Sequence, residues 1–175
     1  MKRTTKMMTI AVAAVGILFA SNVKAQTVDA NKFRLGIGVE AGIPTGGESH
    51  VASNFELGGT ARLQYGASNN LAITLTSGYY NFFPDQALKD AGGSSAGIIP
   101  VKAGVKAFFS QNLYFGGEAG AGFETNGLKD VKLLLTPGIG WASKSWDVGA
   151  RYENFSGQGN SFGLVGLRVA YGFAL

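Results

Sequence analysis

The residues that could perform acid/base or nucleophilic chemistry are few, because the 175-residue chain contains one His and no Cys. Without Cys, the chain cannot form a disulfide framework, a thiolate metal site or a cysteine nucleophile. The histidine lies in the polar cluster Glu48-Ser49-His50. A catalytic serine needs a base that reaches it from another part of the fold and a third group that orients the base. Adjacent residues rarely meet that requirement, so we interpret the cluster as a solvated loop and predict no enzyme activity.

A larger set of reactive groups consists of charged side chains that alternate with apolar residues. The set contains seven cations and six anions: Arg34, Arg62, Lys102, Lys106, Lys132, Arg151, Arg168, Glu40, Glu56, Glu118, Glu124, Asp147 and Glu153. Paired carboxylates could act as an acid/base pair or a proton path. Carboxylates mixed with a near-equal number of cations more readily form an ion-pair network. We therefore predict a structural network and expect no metal and no cofactor.

The elements that position these groups are predicted by alternation of period two, the spacing that sends successive side chains to opposite faces of a β-strand. In the first segment Ile37 and Val39 share one face, whereas Glu40 lies on the other. The same pattern recurs in eight segments, at residues 33–43, 55–65, 71–80, 99–109, 113–124, 132–141, 146–153 and 165–173. The sequence therefore predicts an all-β protein, an eight-stranded antiparallel up-and-down barrel.

The connections between the segments alternate in length. Residues 68–70, 110–112 and 143–145 form short polar turns, whereas 45–54, 84–97, 126–130 and 155–161 are mostly longer and rich in Gly, Ser and Asn. This alternation places the short turns at one end of the barrel and the loops at the other. Phe82 and Phe83 could form a ligand-binding loop tip, although packing of the strand end is the simpler interpretation.

An alternating barrel can turn its apolar face inward, as a soluble carrier does, or outward toward a membrane. Charges enclosed in a narrow lumen must pair, because burial of an unpaired charge is costly, and the near balance of cations and anions fits an enclosed set. Many of the 27 glycines also lie on the charged face, where they leave room for long side chains. Both observations favour a charged interior.

Aromatic residues of the apolar face gather near the segment ends, beside either the turns or the loops. They are Phe33, Tyr65, Phe109, Phe115, Trp141, Trp146, Tyr171, Phe173, Phe55, Tyr79, Phe123 and Tyr152. Between these ends the same face carries Leu, Ile, Val and Ala, as in an apolar band with an aromatic girdle at each membrane interface. A soluble barrel has no reason to sort its aromatics by height, so the sequence predicts a transmembrane barrel.

The chain resembles the small eight-stranded outer-membrane barrels of the OmpX and OmpA transmembrane-domain type, from about Phe33 to Leu175. The resemblance implies the outer membrane of a Gram-negative bacterium and a structural or surface-interaction role through extracellular loops. It also implies contact with outer-membrane lipid and lipopolysaccharide. The segment from Arg168 to Leu175 looks like the C-terminal signal read by the barrel-assembly machinery, although that signal usually ends on an aromatic residue and this one has Phe173 two residues earlier. No ligand of the loops is implied.

The N-terminal residues 1–25 are predicted to be a secretory signal peptide, since basic residues precede an apolar run too short to span a bilayer. The barrel domain then comprises residues 26–175. Removal of the signal takes four of the 15 basic residues and leaves 11 against 11 acidic residues. A neutral mature chain gives no electrostatic reason to expect nucleic-acid binding.

Two other functions stay open at this point. The first is a lipid-modifying or proteolytic barrel enzyme that uses His50, for example together with Asp85 or Asp90 across the rim. The second is a soluble periplasmic, lipocalin-like carrier with its apolar face inside. The girdles of aromatic residues conflict with the second of these functions.

Overall fold

The computed structural model describes residues 30–46, 53–85, 90, 92, 95–126, 130–157 and 161–175. Eight strands are present, namely β1 (Phe33–Thr45), β2 (Ser53–Gly66), β3 (Leu71–Pro84), β4 (Ala96–Phe108), β5 (Leu113–Glu124), β6 (Val131–Ala142), β7 (Trp146–Ser156) and β8 (Phe162–Ala174). The predicted signal peptide and the Glu48-Ser49-His50 cluster lie outside the described residues, and both interpretations stay predictions.

The strands form one closed barrel in which each pairs antiparallel with its sequence neighbour. The sheet closes where β1 pairs with β8, from Arg34 opposite Ala174 to Thr45 opposite Gly163. The predicted all-β, eight-stranded antiparallel barrel is therefore confirmed. Closure satisfies the backbone groups that an open sheet would leave unpaired at its edges. No helix among the described residues is long and apolar enough to cross a membrane.

The short connections 67–70, 109–112 and 143–145 lie at one end of the barrel, which we call the turn end. Ser143 shows how they are held, since its hydroxyl accepts a hydrogen bond from the Trp146 amide at 3.0 Å. The opposite end is the loop end. There the strands continue further than the sequence predicts, and Phe155, expected in a loop, lies in β7 and is buried. These extensions are stabilised by apolar packing inside the barrel rather than by the outer band.

The outer face of the barrel is apolar. Large side chains such as Ile37, Val39 and Leu167 are 56%, 62% and 59% exposed. In the described strands, no outward-facing position carries Asp, Glu, Lys or Arg. A continuous apolar surface of this kind does not suit contact with water and matches the lipid-facing band of a membrane barrel. A lipocalin-like carrier would need the opposite arrangement, with the apolar face inside.

Candidate functional site in the barrel lumen

The centre of the lumen holds a group of ion pairs contributed by strands on opposite sides of the barrel. Glu153 lies 2.8 Å from the Lys102 ammonium and 3.0 Å from Nε of Arg151. Arg151 also pairs with Glu40, whose Oε1 lies 3.1 Å from Nε of Arg168. Alternation along each strand sends these side chains inward, and closure of the sheet brings them together. The result is a network rather than a set of separate pairs.

Hydroxyl groups complete the coordination of these central charges. Tyr80 accepts a hydrogen bond from Lys102 at 2.9 Å and donates one to Glu40 at 3.1 Å. Thr60 donates to Glu40 at 2.7 Å. The alternation pattern offers no separate reason to choose these hydroxyls, although they occupy the same alternate positions as the charged residues. A buried carboxylate that accepts several hydrogen bonds is far better compensated than one held by a single cation.

Arg62 and Glu118 form a second group closer to the turn end. Their side chains meet at 2.9 Å, and Nε of Arg62 donates to Thr76 at 2.8 Å. Thr76 in turn donates to Glu118 at 2.6 Å. Lys102 lies 3.9 Å from the same carboxylate and so links this group to the centre.

The turn end of the lumen is closed by a third group. Lys106 pairs with Asp147, which also accepts a hydrogen bond from the Tyr114 hydroxyl at 2.7 Å. The Lys106 ammonium lies 4.3 Å from the centroid of the Tyr114 ring, within reach of a cation–π contact. Arg34, which is half-buried, donates to the backbone carbonyl of Ser143 at 3.0 Å.

The loop end of the lumen is filled by an apolar cluster that the sequence analysis missed. We call it the aromatic plug; it comprises Tyr80, Phe82, Ile98, Leu134, Phe155, Phe162 and Leu164. The rings of Phe155 and Phe162 stack at 4.5 Å with an interplanar angle of 4°. Phe82 meets both rings edge-on, at 5.9 and 5.8 Å. These residues occupy the same inward-facing positions as the charged residues, so alternation along the strands could have placed them inside. Apolar residues were expected only on the outer face.

Among the described residues, one carboxyl group next to the plug has neither a hydrogen-bond donor nor a cation bonded to it. Glu56 is fully buried, and neither of its oxygens has a hydrogen-bond partner. Nearer the rim, Glu124 and Lys132 pair at 3.2 Å. Of the charged residues predicted to face the lumen, Arg34 and Glu124 are half-buried and the other eleven are buried.

Glycines make room for the long interior side chains. A Cβ atom on Gly140 would collide with the ring of Tyr114, and one on Gly172 would collide with the guanidinium of Arg34. A Cβ on Gly104 would lie 2.7 Å from Cγ of Glu118. The interior of an eight-stranded barrel is only wide enough for side chains, so these positions leave no space for a larger residue.

The predicted interface aromatics are exposed or half-exposed, and several contact one another near the barrel ends. At the turn end Phe33 and Tyr65 lie 4.8 Å apart, as ring centroids, and Trp146 and Tyr171 lie 5.3 Å apart. At the loop end Phe55 lies 6.3 Å from Phe83, an outward aromatic absent from the predicted set. Their assignment to membrane interfaces stays a prediction.

The described residues contain no group of three or more His, Cys, Asp or Glu side chains that could hold a metal ion. Their interior carboxylates are bonded to cations and hydroxyls, apart from Glu56. This arrangement can store and balance charge, and it offers no nucleophile paired with a base.

Comparison with solved structures places this architecture among known barrels. Ail of Yersinia pestis is 14% identical, the match covers 83% of this chain and 100% of that chain, and the TM-score is 0.61. The N-terminal β-barrel domain of Pseudomonas aeruginosa OprF is 12% identical over 83% of this chain and 100% of that chain, with a TM-score of 0.57. OprG from Pseudomonas aeruginosa is 8% identical over 86% and 99%, with a TM-score of 0.51.

No family model matches the sequence, and no curated protein is significantly similar to it. At identities this low, the structural likeness shows the fold. The chain has the fold of eight-stranded outer-membrane β-barrels, as the sequence predicts.

Proposed function

We propose that this protein is an integral outer-membrane barrel of a Gram-negative bacterium, with a lumen closed to solutes and loops that interact at the cell surface. The proposal rests on how charged residues are distributed between the outer face of the barrel and its lumen. The outward faces of the described strands are free of charged residues, whereas thirteen charged side chains point into the lumen. Lipid is the medium that such an exterior requires.

The lumen supports a structural role rather than transport. Ion pairs occupy its centre and turn end, and the aromatic plug occupies its loop end. Barrels of eight strands have little interior space beyond their own side chains. We therefore expect no stable large conductance.

Lipid association follows from the apolar exterior, and lipopolysaccharide is its proposed partner in the outer leaflet. The turn end is assigned to the periplasm and the loop end to the outside. Strand β8 ends at Ala174; Phe173 and the following Leu175 are 46% and 69% exposed. This C-terminal strand is the proposed contact of the barrel-assembly machinery.

The loops are the proposed interaction surface. Among the structural neighbours, Ail has been crystallised with the heparin analogue sucrose octasulfate. Sulfated polyanions are therefore a first class of loop ligand to assay on this protein.

The first experiment follows the protein from a washed outer-membrane fraction onto SDS gels, with and without boiling. A heat-dependent shift in migration is expected, because a closed barrel resists detergent until it is heated. Recovery in the soluble periplasm without a shift would contradict the proposal. In planar bilayers the refolded barrel should show no stable large conductance, and a persistent open channel would overturn the closed lumen.

A second experiment places a charge at two depths of β6, at Leu135 and at Val131. Leu135→Arg is expected to lower the unfolding free energy by about 2–4 kcal/mol in lipid, and Val131→Arg by about 0–1 kcal/mol, since the lipid-face penalty falls toward the interface. Equal effects would argue against a bilayer around this face.

A further inference from the structure

A small cavity remains inside the turn-end part of the lumen, and its lining is cationic. The cavity has a volume of about 40 Å³ and is lined by four cations, Arg62, Lys106, Arg151 and Arg168, and by one carboxylate, Glu118. A volume of this size accommodates about three water molecules, or one small ion with water. Cations outnumber carboxylates in this lining, and each of the cations also pairs with a carboxylate of the surrounding network.

Two hydrogen-bond donors on residues that line this cavity have no acceptor. Thr136 is 4% exposed and its hydroxyl has no partner. Arg168 is 3% exposed, and its Nη2 is likewise without a partner. Arg151, by contrast, is held by the carboxylates of Glu40 and Glu153 and contributes charge to the wall rather than a free donor. Buried donors of this kind normally have an acceptor, from the protein or from a bound species.

The nearby carboxylates are already engaged and do not serve as that acceptor. Glu118 accepts hydrogen bonds from Arg62 and Thr76. Asp147, beside the cavity, pairs with Lys106 and accepts from Tyr114. Glu40 and Glu153 are occupied as well, by Arg168 and Arg151. The groups that stay without an acceptor are the Thr136 hydroxyl and Nη2 of Arg168.

The charge count of the whole described lumen agrees with this local picture. Seven cations and six anions point inward from the described strands. The enclosed set therefore carries at least one excess positive charge, and enclosed charge that is not neutralised is costly.

A second, smaller space lies nearer the turn end of the lumen. Its volume is about 10 Å³, and it is lined by Arg34, Gln64, Arg62, Asp147 and Arg168, so the two spaces share two arginines. Arg34 also donates to the backbone carbonyl of Ser143 in the adjoining turn. Three arginines and one carboxylate therefore line this second space.

We propose that the cavity at Thr136 and Arg168 binds one small inorganic monoanion of the halide type. The hydroxyl of Thr136 and the Nη2 group of Arg168 donate hydrogen bonds to it, and Arg62, Lys106 and Arg151 supply the surrounding positive charge. The ion is a structural ligand of the lumen, and it is independent of whatever the loops bind.

A crystallographic experiment tests the site directly on the unmodified chain. Crystals of the refolded full-length barrel are soaked in sodium bromide, and the anomalous signal of bromine is mapped. The proposal expects a peak in the cavity within hydrogen-bond distance of Thr136 and Arg168. A cavity that contains only water, with or without bromide elsewhere on the protein, overturns it.

A solution experiment separates a specific site from occupancy at crystal concentration only. Thermal unfolding of the barrel in detergent is followed while sodium chloride replaces sodium gluconate at constant ionic strength. The proposal expects a saturable rise in the unfolding temperature, since a ligand that binds only the folded state stabilises it. No dependence on chloride, or the same linear trend in every variant, overturns it.

Thr136→Val removes the free hydroxyl with little change in volume, and it should raise the half-saturating chloride concentration about tenfold. Thr125→Val is the matched control, because the Thr125 hydroxyl is also buried without a partner but lies just beyond β5 at the loop end. It should leave that concentration unchanged. Equal changes of the half-saturating chloride concentration in the two variants contradict the site. The heat-dependent gel shift tests the barrel itself and should be the same in both variants, whether or not the site binds an anion.

Discussion

The two ends of the lumen solve the problem of filling a narrow barrel in different ways. Toward the turn end, charged side chains are held by partners from across the barrel, as Arg62 is by Glu118 and Lys106 by Asp147. Toward the loop end, stacked rings of Phe155 and Phe162 fill the space, and the carboxylate of Glu56 is left without a partner. The turn-end part depends on paired charge and the loop-end part on apolar packing.

This difference teaches that burial alone does not say what an interior charge contributes. Glu118 and Glu56 are both buried carboxylates on inward positions of neighbouring regions. The first is compensated by a cation and hydroxyls, so its removal should destabilise the barrel, whereas the second is uncompensated. Substitutions at the two ends should therefore change the free energy of unfolding by different amounts. For the two carboxylates, the changes should have opposite signs.

The largest expected effect is in the turn-end network. Arg62→Ala should lower the free energy of unfolding by about 3–5 kcal/mol, because it leaves Glu118 without its main buried partner. Urea unfolding of the barrel refolded into detergent or lipid measures this. Arg34→Ala is the control, since Arg34 is half-buried and bonds to a turn carbonyl, and about 1 kcal/mol is expected. Similar losses in both variants would mean that the network is not the stabilising element.

At the loop end, the expected loss comes from packing. Phe155→Ala should lower the unfolding free energy by about 3 kcal/mol, because it removes a fully buried ring and leaves a cavity beside Phe162 and Phe82. Phe83→Ala, on the outer face of β3, is the control and should have a smaller effect. A negligible change for Phe155→Ala would show that the plug does not pack as a unit.

Crowding of the turn-end part predicts a smaller effect at a glycine. Gly140→Ala places a methyl group against the ring of Tyr114 and should cost about 1–3 kcal/mol of stability. Gly117→Ala adds the same methyl group where nothing lies within 4 Å. That variant should be neutral or slightly stabilising, since alanine is less flexible than glycine in the unfolded chain. Equal behaviour of the two would show that the interior can relax.

The smallest expected effect has the opposite sign. Glu56→Gln should raise the unfolding free energy by about 1–2 kcal/mol, because Gln keeps the shape of the side chain and avoids the cost of burying, or of protonating, a carboxylate that has no partner. The same change at Glu118 should lower stability, since it removes the charge that holds Arg62. Unfolding in urea at neutral pH distinguishes the two signs. A loss of stability in both variants would mean that Glu56 has a compensating partner.

Much of the barrel could be predicted from the sequence, because alternation of period two assigns successive residues to the two faces of a strand. Lys132 and Leu133, for example, were assigned to opposite faces, and the structure places them so. The aromatic plug escaped this reasoning. Leu134, for example, lies inside between two outward leucines. Alternation places it there, but charged residues were expected to fill the whole interior.

The partners within the lumen could not be predicted, because they depend on which strands face each other across the barrel. Arg62 and Glu118 are separated by 56 residues, and nothing in either local pattern distinguishes Glu118 from Glu56 as the acceptor. Pairing of this kind follows from the radius and stagger of the closed sheet, which a single sequence does not state.

Closure of the sheet between β1 and β8 also constrains how the barrel can form. Strand β1 is synthesised before the other strands, and its partner β8 is synthesised after them. The two strands therefore cannot pair, from Arg34 opposite Ala174 to Thr45 opposite Gly163, until β8 is available. Joining segments so distant along the chain carries a loop-closure entropy and slows folding. Until that step occurs, β1 and β8 both present free edges that lipid does not tolerate. The chain must therefore be kept from aggregating and delivered unfolded, and its insertion and its closure are expected to be one kinetic event.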